Sequence, residues 1–425
     1  MFRHSNRPAV SRSALGGVCL LALTLGVGAF SHTAAAWPVG QEDEVTLDDF
    51  TTKSKDGAVI TIKHADFKGT NLSKDEIVKM LTPDTSTEDE TALVQKMKVA
   101  EMSIPAIDIV PKDGGVIHIH DVSGRDIDSG KIGKFSIASI DGGGTDKDGP
   151  VAIKTGAFVV EGADLADALA TAKNPSEISP MTHVAHVAWE GVDMTVPDKD
   201  AGGKPIHVAL GSLDIRNNYD GAVFKDGATV VKSLVIEPSK GSEFANNLAI
   251  LGYTRVELSA RIAAHYDAAS KKLSVDDFTI DGANAGAIGL KVAFSDIDPS
   301  IFGADSAARM AAVAGGAVTA LEIKFANAGI FEKSLAFYAG QQNVTPEALK
   351  KQWGAAAGQM LPAVLGGDPS SLKIAGEAQK FINAPTNLTI SVKPKSGAFK
   401  FSDAMGAGDP MAVIGTLDIV AVANK

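Results

Sequence analysis

The sequence predicts an α+β protein, mainly antiparallel β-sheet built from repeated hairpin-plus-short-helix units. Three observations predict it. Apolar and polar residues alternate in runs such as Val59-Ile60-Thr61-Ile62-Lys63 and Leu290-Lys291-Val292-Ala293-Phe294, the period of a half-buried strand. Glycine is abundant, 43 residues, and spread along the chain, as many turns between strands require. A strand, turn, strand, short-helix plan also recurs. TLDDFTTK at 46–53 is echoed by SVDDFTID at 274–281, and segments 133–160 and 207–238 share the plan in looser wording. Such self-similarity is the mark of a repeated supersecondary unit.

Each unit is followed by residues of helical character. Ser73 to Leu81 opens with a Ser73…Glu76 capping box, and Thr87-Glu88-Asp89-Glu90 opens a second helix expected to run to about Met102. ADLADALATA follows the 133–160 unit, and GSEFANNLAILG follows the 207–238 unit. Pro299 to Val313 reads as helix after the second DDFT copy. Thr345-Pro346-Glu347 is an N-cap with proline at the first helical position. Its helix, 346–360, carries Leu349, Trp353, Ala356 and Met360 on one face. Glu377 to Ile382 reads as a short helix before Pro385, and Leu388–Val392 and Val413–Val422 as strands. Loops or boundaries are expected at Ala172–Pro180 and Asp198–Pro205.

The N-terminus reads as an export signal. Arg3, Arg7 and Arg12 form a positive region, Ala14 to Phe30 is uncharged and mostly apolar, and Ala34-Ala35-Ala36 supplies the small residues of a cleavage site. The apolar run is short and glycine-rich for a membrane anchor. The segments are therefore 1–36, signal peptide; 37–205, an N-terminal β-rich region; and 206–425, a C-terminal one. The expected location is the periplasm, with no stable membrane span after cleavage.

Composition excludes some roles. Loss of residues 1–36 removes three arginines and no acidic residue, taking the formal net charge from −11 to −14. Nucleic acid, which attracts clustered Lys and Arg, is not an expected partner. Cys19 is the only cysteine and leaves with the signal, so disulfide and thiol chemistry are not expected. Aromatics are 6% of the chain, sparse for a glycan-stacking surface.

Candidate chemistry is thin. His118 and His120 lie two apart in a strand pattern, on the face opposite Ile117 and Ile119. That spacing can bind metal, yet no further ligand is identifiable, and a solvated strand face accounts for it. His183, His186 and Glu190 would align on a helix, while Val184, Val187 and Trp189 suit a strand equally well. Asp141, Asp146 and Asp148 in DGGGTDKDG do not place a Glu where a calcium loop needs one, and a polar hairpin turn accounts for them. No nucleophile elbow, P-loop or dinucleotide fingerprint is present. No metal site and no cofactor is therefore expected.

Tyr266-Asp267, Leu273-Ser274-Val275-Asp276-Asp277-Phe278 and Gly289-Leu290 resemble the repetitive β modules of large Gram-negative envelope proteins, the AsmA-like and YdgA-like families. Phe325 to Lys351, Phe381 to Pro385 and Leu388 to Ile390 are similar to uncharacterised exported proteins of alphaproteobacteria. The likeness covers roughly the last 170 residues of the sequence and is one of texture, so no residue role is carried over. It implies an elongated, twisted sheet with a hydrophobic concave face able to cradle acyl chains.

The expectation is thus a non-enzymatic envelope protein that binds or carries a lipid or other hydrophobic ligand on an apolar sheet face, with Ile60, Ile62, Leu290, Val292 and Phe294 as lining residues. A structural or interaction protein with a filled core and a protein partner is the alternative. A hydrolase or metal-dependent enzyme with dispersed residues is the third. A continuous apolar cavity would mark the carrier, a filled sheet interface with an exposed apolar patch the interaction protein, and converging titratable groups with perturbed pKa values the enzyme. N-terminal sequencing of protein recovered from the periplasm of an export-competent host is expected to read Trp37 first. An N-terminus at Met1 would contradict the export reading.

Overall fold

The computed structural model describes residues 44–82, 87–146, 148–164, 183–221, 223–303, 305–367, 369–401 and 410–425. The signal segment, the ADLADALATA helix and the Ala172–Pro180 loop expected above lie outside these residues or mostly so. The chain divides into two compact units, the second of which also takes in 148–156.

The first unit is an antiparallel meander. Strand β1 (Val45–Lys53) pairs with β2 (Val59–Lys68), β2 with β3 (Lys98–Val110), β3 with β4 (Val116–Asp128), and β4 with β5 (Lys131–Asp146). After β6 (Gly149–Thr155), which belongs to the second unit, β7 (Phe158–Asp164) returns to pair with β5. Period-2 alternation puts one face inside. Leu47, Ile60, Ile62, Phe67, Ile104, Ile107, Ile119, Phe135, Ile137 and Val160 are all buried.

Helix α1 (Lys74–Leu81) connects β2 toward β3 and buries Ile77 and Leu81. Its capping box forms as the sequence reads: Glu76 N–H donates to the Ser73 side chain, and Ser73 N–H donates to the Glu76 carboxylate. Helix α2 (Thr87–Lys96) ends six residues short of the expected Met102, because Lys98 already begins β3. Val99, Met102 and Ile104 are buried as strand residues there, so sheet pairing overrides the helical pattern. The DGGG run is likewise strand, not turn. A side chain on Gly142 would collide with the Val116 carbonyl at 2.2 Å, and one on Gly144 with the Gly114 carbonyl at 2.7 Å. Glycine here permits close backbone approach to β4.

The second unit is a longer meander. Strand β8 (Val184–Asp198) pairs with β6 and with β9 (Lys204–Asp220). The Asp198–Pro205 loop is the hairpin connection between β8 and β9, with Asp198 capping a single 3₁₀ turn. Pairing continues in order through β10 (Val223–Glu237), β11 (Val256–Asp267), β12 (Lys272–Gly282), β13 (Gly286–Ser295), β14 (Ala317–Asn327) and β15 (Asn387–Pro394). The two-residue β16 (Phe399–Lys400) lies beside β14, and β17 (Leu417–Ala423) pairs with β15.

Helices occupy the connections. Helix α3 (Glu243–Ile250) links β10 to β11. The helix expected over Pro299–Val313 is two pieces, a 3₁₀ turn at Pro299–Phe302 and α4 (Ser306–Gly315), interrupted where Gly303 leaves helical geometry. Three helices, α5 (Ile330–Gln342), α6 (Pro346–Val364) and α7 (Pro369–Asn383), join β14 to β15. Thr345 caps α6 through Ala348 N–H, with Pro346 at the first position. Helix α7 packs along the last strand, and Glu377 accepts the Ala423 backbone N–H at 2.8 Å, which covers part of an otherwise open sheet edge. Helix α8 (Pro410–Gly415) takes the first residues of the run expected to be strand from Val413. Among the described residues no helix is long and apolar enough to cross a membrane.

Two substitutions test this division of burial. Ile62→Ala, at a fully enclosed position, is expected to cost about 2–5 kcal/mol in urea denaturation. Ile288→Ala, on the second unit's open face, is expected to cost about 0.5 kcal/mol or less. Equal losses would contradict the assignment of faces.

Candidate functional site: an open apolar sheet face

In the second unit the strand registers assemble the apolar positions into continuous rows. One row runs through Trp189, Leu213, Val231, Ala260, Ile280, Ile288, Phe325 and Leu388. The next runs through Val187, Ile215, Thr229, Ile262, Phe278, Leu290, Ile323 and Ile390. A third carries Val275, Val292, Leu321 and Val392, and a fourth Leu273, Phe294 and Val318. None of these residues is charged.

Unlike the corresponding face of the first unit, this one is not enclosed. Ile262, Ile280, Ile288 and Ile323 are 39%, 38%, 52% and 36% exposed. Ile280 and Ile288 are direct cross-strand partners, as are Ile323 and Leu290, so the exposed side chains form one patch. Contiguous exposed apolar surface on a sheet makes this face the candidate site. Its margins are closed by aromatic rings. At one end of the strands Phe302 packs against Tyr266 (4.9 Å between centroids) and Phe224 (5.7 Å), and Phe401 against Phe294 (6.0 Å). The Tyr266 hydroxyl donates to the Ile297 carbonyl at 2.8 Å. At the other end Phe381 of α7 packs against Phe325 (5.7 Å) and Phe331 (5.6 Å).

The five residues singled out from sequence divide between the units. Leu290, Val292 and Phe294 lie on the open face and are half-buried. Ile60 and Ile62 sit in the enclosed core of the first unit, where they pair with Ile109 and Ile107 and offer no surface. Alternation reveals which face of a strand is apolar, but not whether something covers that face. The exposed centre at Ile262, Ile280, Ile288 and Ile323 escaped sequence reasoning for the same reason.

The opposite faces are polar and carry the histidines. His64 meets Asp48 (2.8 Å) and Asp66 (3.0 Å), His118 meets Asp108 (2.6 Å), and His120 meets Asp141 (2.8 Å). In the second unit His186 meets Asp214 (3.2 Å), His207 meets Asp193 (3.1 Å), and His265 meets Asp276 (2.6 Å). His118 and His120 share one face, their rings 6.1 Å apart, with Ile117 and Ile119 buried behind them. His186 and Glu190 lie in strand β8 and not on a helix. Asp148 pairs with Lys199 at 3.1 Å. Among the described residues no group of three or more His, Cys, Asp or Glu is placed to hold a metal ion. A shallow recess of about 530 Å³ between Lys68, Gly69, Ala100, Glu101 and Arg125 lies on the first unit's polar side. Its alternating charges make it unsuited to an apolar ligand.

These features define an α+β protein whose distinguishing surface is an uncharged, half-open sheet face. A family model described as "Uncharacterized protein" matches residues 279–424, which include β13 to β17 and the helices α5 to α7 against them. No curated protein matches the chain.

Two ionisations can be followed. The hydrogen bond to Asp48, and then that to Asp66, raise the His64 pKa above its ordinary value. The interaction therefore contributes fully below about pH 6.5 and is lost as pH rises through the raised value. Lys96 first, then the Ser73 backbone and hydroxyl, push Glu76 down to about 2. That contribution holds above the ordinary carboxylate range and is lost as pH falls through about 2. NMR titration is expected to show His64 titrating above the free imidazole value, and Asp48→Asn to lower it. An unshifted His64 would contradict the geometry.

Proposed function

We propose that the protein is a non-enzymatic envelope protein of the periplasm that binds or carries a lipid or other hydrophobic molecule on the open sheet face of its second unit. The observation that carries this reading is the contiguous exposure of Ile262, Ile280, Ile288 and Ile323 within rows that hold no charged residue. Removing about 100 Å² of apolar surface from water contributes roughly 2.5 kcal/mol. A face this apolar and this exposed gains by taking an apolar guest, and as an exposed patch it also fits the alternative of a protein partner. The rows offer no carboxylate, imidazole or nucleophilic thiol to a bound molecule, which supports binding without chemistry. Aromatic closure at the strand ends leaves the guest to lie across the strands, over the central isoleucines. The resemblance of the Tyr266–Leu290 stretch to AsmA-like and YdgA-like modules points the same way, and the signal-like N-terminus supports the location.

The test is native mass spectrometry with lipid extraction on protein recovered from the periplasm. A stoichiometric lipid is expected in the wild type. Ile280→Gln combined with Ile288→Gln is expected to lose it with an unchanged denaturation midpoint, because both side chains are already solvent-exposed. A clean apo mass after incubation with envelope phospholipids would sink the carrier reading and favour a protein partner on this face.

A further inference from the structure

Strand β4 runs between β3 and β5. It carries the only two of the chain's nine histidines that stand two residues apart, His118 and His120. Side chains alternate along a strand, so the two imidazoles share the polar face while Ile117 and Ile119 are buried behind them. Pairing on both sides fixes the backbone beneath: His118 stands opposite Asp108 of β3 and Asp141 of β5. Each imidazole is held from one nitrogen. His118 Nδ1 donates to Asp108 at 2.6 Å, and His120 Nε2 donates to Asp141 at 2.8 Å. A neutral imidazole that donates from one nitrogen carries a lone pair on the other. Those nitrogens are His118 Nε2 and His120 Nδ1, and neither meets a hydrogen-bond partner among the described residues. The rings lie 6.1 Å apart, tilted by 34°, and both side chains are partly exposed, so an ion in solution can reach them.

We infer that His118 and His120 form a site for a divalent transition-metal ion of the imidazole-preferring kind, Cu²⁺, Ni²⁺ or Zn²⁺. The ligands are His118 Nε2 and His120 Nδ1, with water completing the shell. Three features carry the assignment. The first is reach. With metal–nitrogen bonds of about 2.1 Å, two imidazoles on one ion have ring centres roughly 4.5–6.5 Å apart, and the observed 6.1 Å falls in that interval. The second is the carboxylate behind each ring. Metal-ligating histidines are oriented by a carboxylate that accepts from the other ring nitrogen, and Asp108 and Asp141 stand in that place. The third is the contrast with the other histidines. His64 and His207 meet carboxylates at both ring nitrogens. His186 and His265 have no second histidine two residues away. Nitrogen ligands exclude Ca²⁺ and Mg²⁺, which take oxygen. A site of two imidazoles accords with the absence, among the described residues, of any metal-holding group of three or more. The site lies wholly in the first unit and does not depend on the second unit's sheet face taking a guest.

The test is NMR of the untagged protein with isotopically labelled histidines, to which Cu²⁺ alone is added. Cu²⁺ binds most tightly of the three ions, and being paramagnetic it broadens the signals of the imidazoles that hold it. His118 and His120 are expected to broaden together, before any other histidine. In calorimetric titration His118→Gln or His120→Gln, each leaving a single imidazole, is expected to abolish the tightest binding step. Asp141→Asn keeps both ligands and removes the carboxylate behind one ring, and is expected to weaken that step by about tenfold or more. Urea denaturation of each variant checks that it is folded, and the broadening pattern of the wild type stands without them. Broadening of all histidines at the same Cu²⁺ concentration, which marks an adventitious ion only, would overturn the proposal. So would unbroadened His118 and His120, or a tightest step unchanged in the folded glutamine variants.

Discussion

Everything in this protein follows from one property of a pleated strand: successive side chains point to opposite faces. Alternating sequences therefore build sheets with one apolar face, and that face must be covered or left open. The first unit covers it, and Phe67, Ile62, Ile104 and Phe135 are enclosed almost completely. The second builds the same face from more strands and closes it only at the margins, with Phe302, Phe401 and Phe381. The first unit spends its alternation on stability. The second keeps part of it as surface, which leaves an uncharged apolar face partly open.

The polar faces are organised by the complementary rule. Residues opposite or diagonal to each other on neighbouring strands interact, and here the contacts are repeatedly His with Asp: Asp48–His64 and Asp108–His118 are directly opposite, while His120, His186, His207 and His265 reach their aspartates diagonally. In the two DDFT segments the same aspartate position takes a histidine from an adjacent strand: Asp48 takes His64, and Asp276 takes His265. The adjacent strand follows in one case and precedes in the other, so the likeness is one of strand chemistry within different connectivities. Because such pairs are largely exposed, each contributes little to stability, and their value lies in fixing register and in keeping this side of the sheet wet.

Local signals were legible wherever the determinant is local. The Ser73…Glu76 box, the Thr345-Pro346 cap and the face shared by His118 and His120 all stand where the residues place them. The antiparallel α+β class was legible from alternation and turn residues. What failed depended on distant partners. Helix α2 stops before Met102 because β3 pairs with β2 and β4 there. Gly142 to Gly144 form strand because β4 passes close behind them. Met360 continues an apolar stripe, yet nothing packs on it, for a stripe cannot report where its neighbour ends. Of the residues proposed from sequence, Leu290, Val292 and Phe294 lie on the open face, while Ile60 and Ile62, alike in local pattern, are core.

The central claim is that the exposed centre of the second unit's apolar face receives a hydrophobic guest. The most direct measurement is photocrosslinking with a phospholipid that carries a photoreactive group on its acyl chain, followed by peptide mapping. The account predicts label concentrated in peptides bearing Ile262, Ile280, Ile288 and Ile323. Label confined to the first unit, or spread evenly over both, would contradict it.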